Sequence, residues 1–142
     1  MVIIHEGQIG NIYEIRGMQV MLDSDLAKLY GVETRILNQA VLRNKRRFPR
    51  DFIFSLTQKE FSSLTSQSVI SKKGGRRHKP YVFTEHGILM LSSVLRSDIA
   101  ASVNIQIMRS FAALRRSLVN YQQLKEKLDE EDRKVIGFDT SV

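Results

Sequence analysis

Cysteine is absent from the 142 residues, which excludes a disulfide framework, a cysteine-type zinc site and a thiol nucleophile. Histidine is scarce: His5, His78 and His86 stand apart, with no i, i+4 pair and no H-E-x-x-H spacing, so no metal site is expected. No apolar run approaches the roughly 20 residues that span a bilayer. The opening MVIIHEGQIG has no basic region leading into an apolar stretch. The expectation is a cytoplasmic chain without membrane association, long enough for one domain core. A nucleophile elbow and a phosphate-binding glycine loop are also missing.

Acidic residues are missing from two places. The formal charge is +7, but it is unevenly spread. Positions 28–50 carry seven cations, Lys28, Arg35, Arg43, Lys45, Arg46, Arg47 and Arg50, against the single acid Glu33. Positions 72–79 carry five, Lys72, Lys73, Arg76, Arg77 and Lys79, with no acid; together the two segments hold +11, leaving −4 for the rest. Clustered cations make a local field that attracts polyanions. A nuclease needs carboxylates grouped at such a surface, so binding without cleavage is expected: no enzyme, no cofactor and no small-molecule substrate. Asp23 and Asp25 read as a helix cap and a partner of the helix dipole rather than as a catalytic pair.

Hydropathy patterning predicts an α+β domain with a small N-terminal β-hairpin, a helix-turn-helix, short strands with a basic glycine-tipped hairpin, and two C-terminal helices. Residues 12–22 form two β-runs around the turn pair Arg16-Gly17. Asp23 is positioned to cap a helix over 24–30, closed by Gly31. Thr34 is positioned to cap a helix over 35–47, which must stop at Phe48-Pro49. Residues 51–56 read as a strand buried on both faces. Thr57 and Glu60 match a capping box for a short helix over 59–65. Two β-like pieces, 68–71 and 81–83, flank the basic 72–79 hairpin. Thr84 caps a helix carrying Ile88, Leu91 and Leu95, and Ser97 caps another carrying Ile99, Val103, Ile107, Phe111, Leu114 and Leu118. Residues 137–142 read as a frayed tail.

The segment 25–41 fits a helix-turn-helix: Ala27 allows close packing, Gly31 the turn, and Leu37 fills the angle between the helices. An ordinary αα-corner would share these features. At about 100° per residue, Leu37, Ala40, Val41 and Phe48 define the core side of the second helix. The opposite side then carries Arg35, Gln39, Leu42 and Arg46, flanked by Asn38 and Arg43. Arginine can fork onto guanine, Asn or Gln can pair with adenine, and an aliphatic group can touch a thymine methyl. Lys45 and Arg47, with the 72–79 hairpin, suit phosphates, although a glycine-tipped basic loop can equally be a solvated one.

The motifs Ile15 to Asp23, Asp25 to Thr34, Leu37-Asn-Gln39, Arg47-Phe-Pro49, Asp51-Phe52, Gly75-Arg-Arg77, Pro80-Tyr81, Phe83-Thr-Glu85 and Val103 to Arg109 occur in this order. Together they resemble the ORF-six-N type of KilA-N-like domain found in phages and bacteria, over roughly residues 8–118. The resemblance implies a small α+β domain that binds double-stranded DNA, often joined to other modules in phage regulators and antirepressors. It implies contact through the helix beginning near Thr34 and through the basic loop. The partition expected is a domain over 8–118 and a helical extension with its tail over 119–142, with no effector module following. Ile107, Leu114, Tyr121 and Leu128 recur every seven residues, with Phe111 and Leu118 four after two of them. This pattern allows a homodimer through the C-terminal helix, or an antirepressor-like protein-protein module. Lys125 interrupts the second series, so a single helix packed on its own domain fits as well.

Overall fold

A computed structural model of the chain describes residues 3–6, 9–67 and 80–140. Strand β1 (Ile3–Glu6) pairs antiparallel with β2 (Asn11–Ile15). Arg16 and Gly17 both adopt positive φ, 55° and 74°, the combination a two-residue type I′ turn requires. They reverse the chain into β3 (Met18–Leu22), with Ile15 opposite Met18, as the sequence predicts. β1 is an addition, since its four residues carry no flanking turn pair of that kind.

The chain continues through α1 (Asp23–Tyr30), α2 (Thr34–Arg43), a 3₁₀ turn (Lys45–Arg47), β4 (Ile53–Ser55), α3 (Gln58–Gln67), β5 (Tyr81–Thr84), α4 (Glu85–Leu95) and α5 (Asp98–Thr140). The molecule is thus α+β, and the five strands among the described residues form one antiparallel sheet in the order β1-β2-β3-β5-β4. β5 is internal to the sheet, and Val82 and Phe83 on it are fully buried. β4 lies at an edge with its residues half-buried or exposed, so the expectation of a strand covered on both faces is corrected. Its two apolar residues point to opposite faces, Ile53 beside Phe83 and Phe54 beside Val82, and neither is fully covered. Phe54 packs on the core cluster of Tyr13, Ile15, Val20, Leu22, Leu56, Leu64 and Val82. Leu64 brings α3 onto that cluster. Side chains alternate along a strand, so Met21 and Phe83, paired in register, face the other way.

Three helix starts follow local rules. Thr57 and Glu60 form the capping box: the Thr57 amide donates to Glu60 Oε1 at 2.8 Å, and the Glu60 amide to Thr57 Oγ1 at 3.1 Å. Thr84 Oγ1 accepts from the Gly87 amide at 3.3 Å, and Ser97 Oγ from the Ala100 amide at 3.0 Å. Asp23 and Thr34 differ from expectation. Each is the first helical residue, preceded by Leu22 and Glu33 in extended conformation, and neither start has a side-chain cap bond. The buried stripe at the start of α5 also differs from expectation by one residue. Ala100, Asn104 and Ile107 are buried while Ile99 is exposed, because Asn104 is accepted into the interior by the Tyr30 hydroxyl, which donates to its Oδ1. α5 runs on past Gly137, where the sequence suggests a tail. The chain divides into two compact units, Met1–Ser110 and Phe111–Val142, the second containing the remainder of α5 to Thr140.

The Arg16 turn residue also holds α3. Its guanidinium donates from Nε to Glu60 Oε2 at 2.8 Å and from Nη2 to Oε1 at 2.9 Å, and it lies 4.4 Å from the Phe54 ring centroid. The hydrogen bonds from Arg16, then that from the Thr57 amide, hold the Glu60 carboxyl down at about 2. A depressed carboxylate stabilises the fold fully above its unfolded value and loses that contribution as the pH falls through the folded one. Urea unfolding should therefore weaken from about pH 4.5 to about pH 2, and Glu60→Gln should flatten that part of the acid limb. An acid limb unchanged by the substitution contradicts the assignment.

α4 approaches the segment before β4 closely. A Cβ on Gly87 would lie 2.2 Å from the Phe52 carbonyl oxygen, which itself accepts the Thr84 amide at 3.0 Å. Backbone on both sides leaves little room to yield, so Gly87→Ala should lower the unfolding free energy by about 1–3 kcal/mol in urea titration.

Candidate nucleic-acid interface

α1 and α2 form a packed helix pair whose connection is fixed by Gly31. At φ 71° and ψ 31° it takes the left-handed conformation; its amide donates to the Lys28 carbonyl at 3.2 Å, and the Val32 amide to that of Ala27 at 3.0 Å. This is a Schellman closure, which satisfies carbonyls that the helix end leaves open. Leu26, Ala27, Tyr30, Leu37 and Val41 are buried, among them the Ala27 and Leu37 that the spacing expects at a helix corner and the Val41 of the predicted core side, whereas Ala40 is half-buried.

A buried carboxyl group sets the orientation of the pair. Asp23 is 1% exposed. Its Oδ1 accepts the Ser24 amide at 2.7 Å, and its Oδ2 accepts the Asn38 amide group at 3.0 Å and the Tyr81 backbone amide at 3.3 Å. One side chain thereby joins α1, α2 and β5. Sequence reasoning treats Asp23 as a cap, because its long-range partners lie 15 and 58 residues away. Tyr30 adds a second anchor: it donates to Asn104, and burial raises its hydroxyl well above the usual phenol range, so it stays a protonated donor.

With Leu37 and Val41 inward, the opposite face of α2 is set. Arg35, Gln39, Leu42 and Arg43 are exposed, as the helical phase predicts. Ile36 is exposed too, at 38%, and adds an apolar side chain that the sequence reading passes over. Arg35 Nη2 lies 3.6 Å from Glu33 Oε2, but both side chains are about three-quarters exposed; such a pair contributes little and does not sequester the arginine. Thr34 is half-buried at the helix start. Asn38 is half-buried with Nδ2 committed to Asp23, so it belongs to the joint rather than to the open face.

The helix ends earlier than predicted. It stops at Arg43, where Asn44 leaves the helical region at φ −125° and ψ 37° and its Nδ2 turns back to the Ala40 carbonyl at 2.8 Å. Asparagine competes with the backbone in this way, which the apolar pattern does not reveal. Lys45, Arg46 and Arg47 consequently lie on the 3₁₀ turn, and Arg46 does not continue the helical row of Arg35, Gln39 and Leu42. Phe48 fixes the turn. It is buried and meets Phe83 edge to face, with centroids 6.2 Å apart and planes at 89°. Arg47 donates from Nη1 to Ser93 Oγ on α4 at 3.0 Å. Leu42, Arg43, Asn44, Lys45, Arg46 and Arg47 line a shallow concavity of about 370 Å³. Lys72, Lys73, Arg76, Arg77 and Lys79, with the predicted strand at 68–71, lie outside the described residues.

The surface therefore offers forked and amide donors with aliphatic groups on a helix face, followed by a run of cations. No acid lies on α2 or on the 3₁₀ turn. Among the described residues, no group of three or more His, Cys, Asp or Glu could hold a metal ion, and no helix is long and apolar enough to cross a membrane.

This is a small α+β domain presenting a basic helical face beside a basic turn. The chain belongs to the ORF6N domain family, whose model matches residues 10–94. That span runs from the start of β2 nearly to the end of α4, and takes in the helix pair and the turn. No curated protein and no solved structure matches the chain.

Asn38 and Gln39 are neighbours with different tasks in this geometry. Asn38→Ala removes a bond to a buried carboxyl group and should cost about 1–3 kcal/mol of unfolding free energy, whereas Gln39→Ala on the open face should change it by less than about 0.5 kcal/mol. Equal losses in urea unfolding contradict the placement.

Proposed function

We propose that this ORF6N domain binds double-stranded DNA with a sequence preference, as a phage-derived or bacterial transcriptional regulator acting in the cytoplasm. The observation that carries the proposal is the acid-free exposed face of α2 continuing into a turn of three cations anchored by Phe48. α2 is the second helix of a helix-turn-helix on this reading. Arg35, Gln39, Leu42 and Arg43 enter the major groove, with Arg forking onto guanine, Gln pairing with adenine and Leu42 meeting thymine methyl groups. Lys45, Arg46 and Arg47 hold phosphates, joined by the cations of 72–79. Arg46 moves from base reading to phosphate contact because it sits on the turn. Binding proceeds without cleavage, metal or cofactor.

Fluorescence anisotropy on duplex DNA tests this reading. With about six phosphates neutralised, log K should fall with log salt at a slope of roughly −5. Arg35→Ala or Gln39→Ala should cost about 1–3 kcal/mol on the preferred site and flatten the preference, while Arg46→Ala or Arg76→Ala should weaken all sequences alike. Absence of duplex binding at low salt, or a slope near zero, overturns it. The second reading, an antirepressor-like protein-protein module, is favoured by the exposed apolar residues of α5 and predicts that negative result.

A further inference from the structure

Every residue from 115 to 134 on α5 is exposed. Yet Leu118, Val119, Tyr121, Leu124 and Leu128 are among them, with Tyr121 65% and Leu124 57% exposed. Gln122 donates to Glu126 and Lys134 pairs with Glu130, both one turn apart and each worth only a fraction of a kcal/mol. Helices of this kind draw most of their stability in water from burying an apolar face. At about 100° per residue, Leu114, Leu118, Tyr121, Leu124, Lys125 and Leu128 fall within a stripe about 120° wide. That is a pairing seam, with Leu114, Tyr121 and Leu128 at one heptad position and Leu118 and Lys125 at the other.

Charge selects the occupant and its direction. Arg115 flanks the start of the seam and Asp129, Glu131 and Asp132 stand along its end, while Arg116 and Glu130 point to the opposite side of the helix. A parallel copy in register would set acids against the same acids, arginines against arginines, and Lys125 against Lys125. An antiparallel copy does the reverse. With the two-fold axis near residue 123, Leu118 faces Leu128 of the second copy, Arg115 lies along its acids, and Leu124 meets its own equivalent. Lys125, the residue that interrupts the apolar series, then faces Tyr121, whose ring accepts a cation. We propose that segment 114–132 pairs antiparallel with the same segment of a second copy of this chain. The pairing stands independently of DNA binding, and its test contains no DNA.

Light scattering on the full chain should give twice the 16.3 kDa chain mass. Arg115→Glu makes both ends of the seam acidic and should halve the measured mass with the helical circular dichroism retained. Under parallel pairing the same change only exchanges one like-charge opposition for another, so an undiminished mass overturns the proposal. The absence of native cysteine allows a second readout. Under oxidation, Leu118→Cys and Leu128→Cys proteins should form disulfide dimers when mixed and remain monomeric in denaturing gels when kept apart. Cross-linking of Leu118→Cys with itself, or a monomeric wild-type chain at every concentration, overturns it, the latter leaving the seam to a different protein.

Discussion

The Asp23 carboxyl group is the constraint on which the orientation of the candidate surface depends. A buried carboxyl without partners would cost several kcal/mol, and this one is satisfied by donors from three elements: the Ser24 amide of α1, the Asn38 side chain of α2 and the Tyr81 amide of β5. Because those donors come from separate parts of the chain, the group can be satisfied only when the helix pair sits in one place on the sheet. Leu37 and Val41 then point inward, and the arginines and glutamine of α2 have only the outer face left to occupy. Polarity in the interior thus fixes what is displayed outside.

A second constraint acts at the far end of α2. Asn44 closes the helix through its own side chain, and Phe48 fastens the following segment to Phe83 in the sheet. Between these two points the chain has room for one tight turn, and its three residues are all cations. Helix face and turn are therefore held by separate anchors, one polar and one aromatic. The Arg16 contacts with Glu60 and Phe54 work elsewhere, tying the β2-β3 turn to α3 away from this surface.

Features governed by neighbours a few residues apart were legible in the sequence. The Arg16-Gly17 turn, the Gly31 closure, the Thr57 and Glu60 box, and the Thr84 and Ser97 caps are all of this kind, and so is the outward phase of Arg35, Gln39, Leu42 and Arg43. Features that depend on remote partners were not. Asp23 could be read only as a cap and Asn38 only as a reader of bases, because neither sequence position reveals the other. Asn104 shifted the buried stripe of α5 by one position for the same reason, since a polar residue looks external until Tyr30 supplies its donor. The break at Asn44 was hidden by an apolar pattern that continues to Phe48 across it. β4 looked doubly buried because apolar content does not distinguish an edge strand from a central one.

Backbone amide NMR during titration with a duplex bearing the preferred site is the sharpest test of DNA contact through α2, because it locates contact without altering any residue. Shifts should concentrate at Arg35, Ile36, Gln39, Leu42, Arg43, Lys45 and Arg46, with Leu26 in the buried part of α1 and residues 115–134 of α5 little changed. Shifts confined to α5 or to the edge strand β1, with α2 and its turn silent, would contradict it.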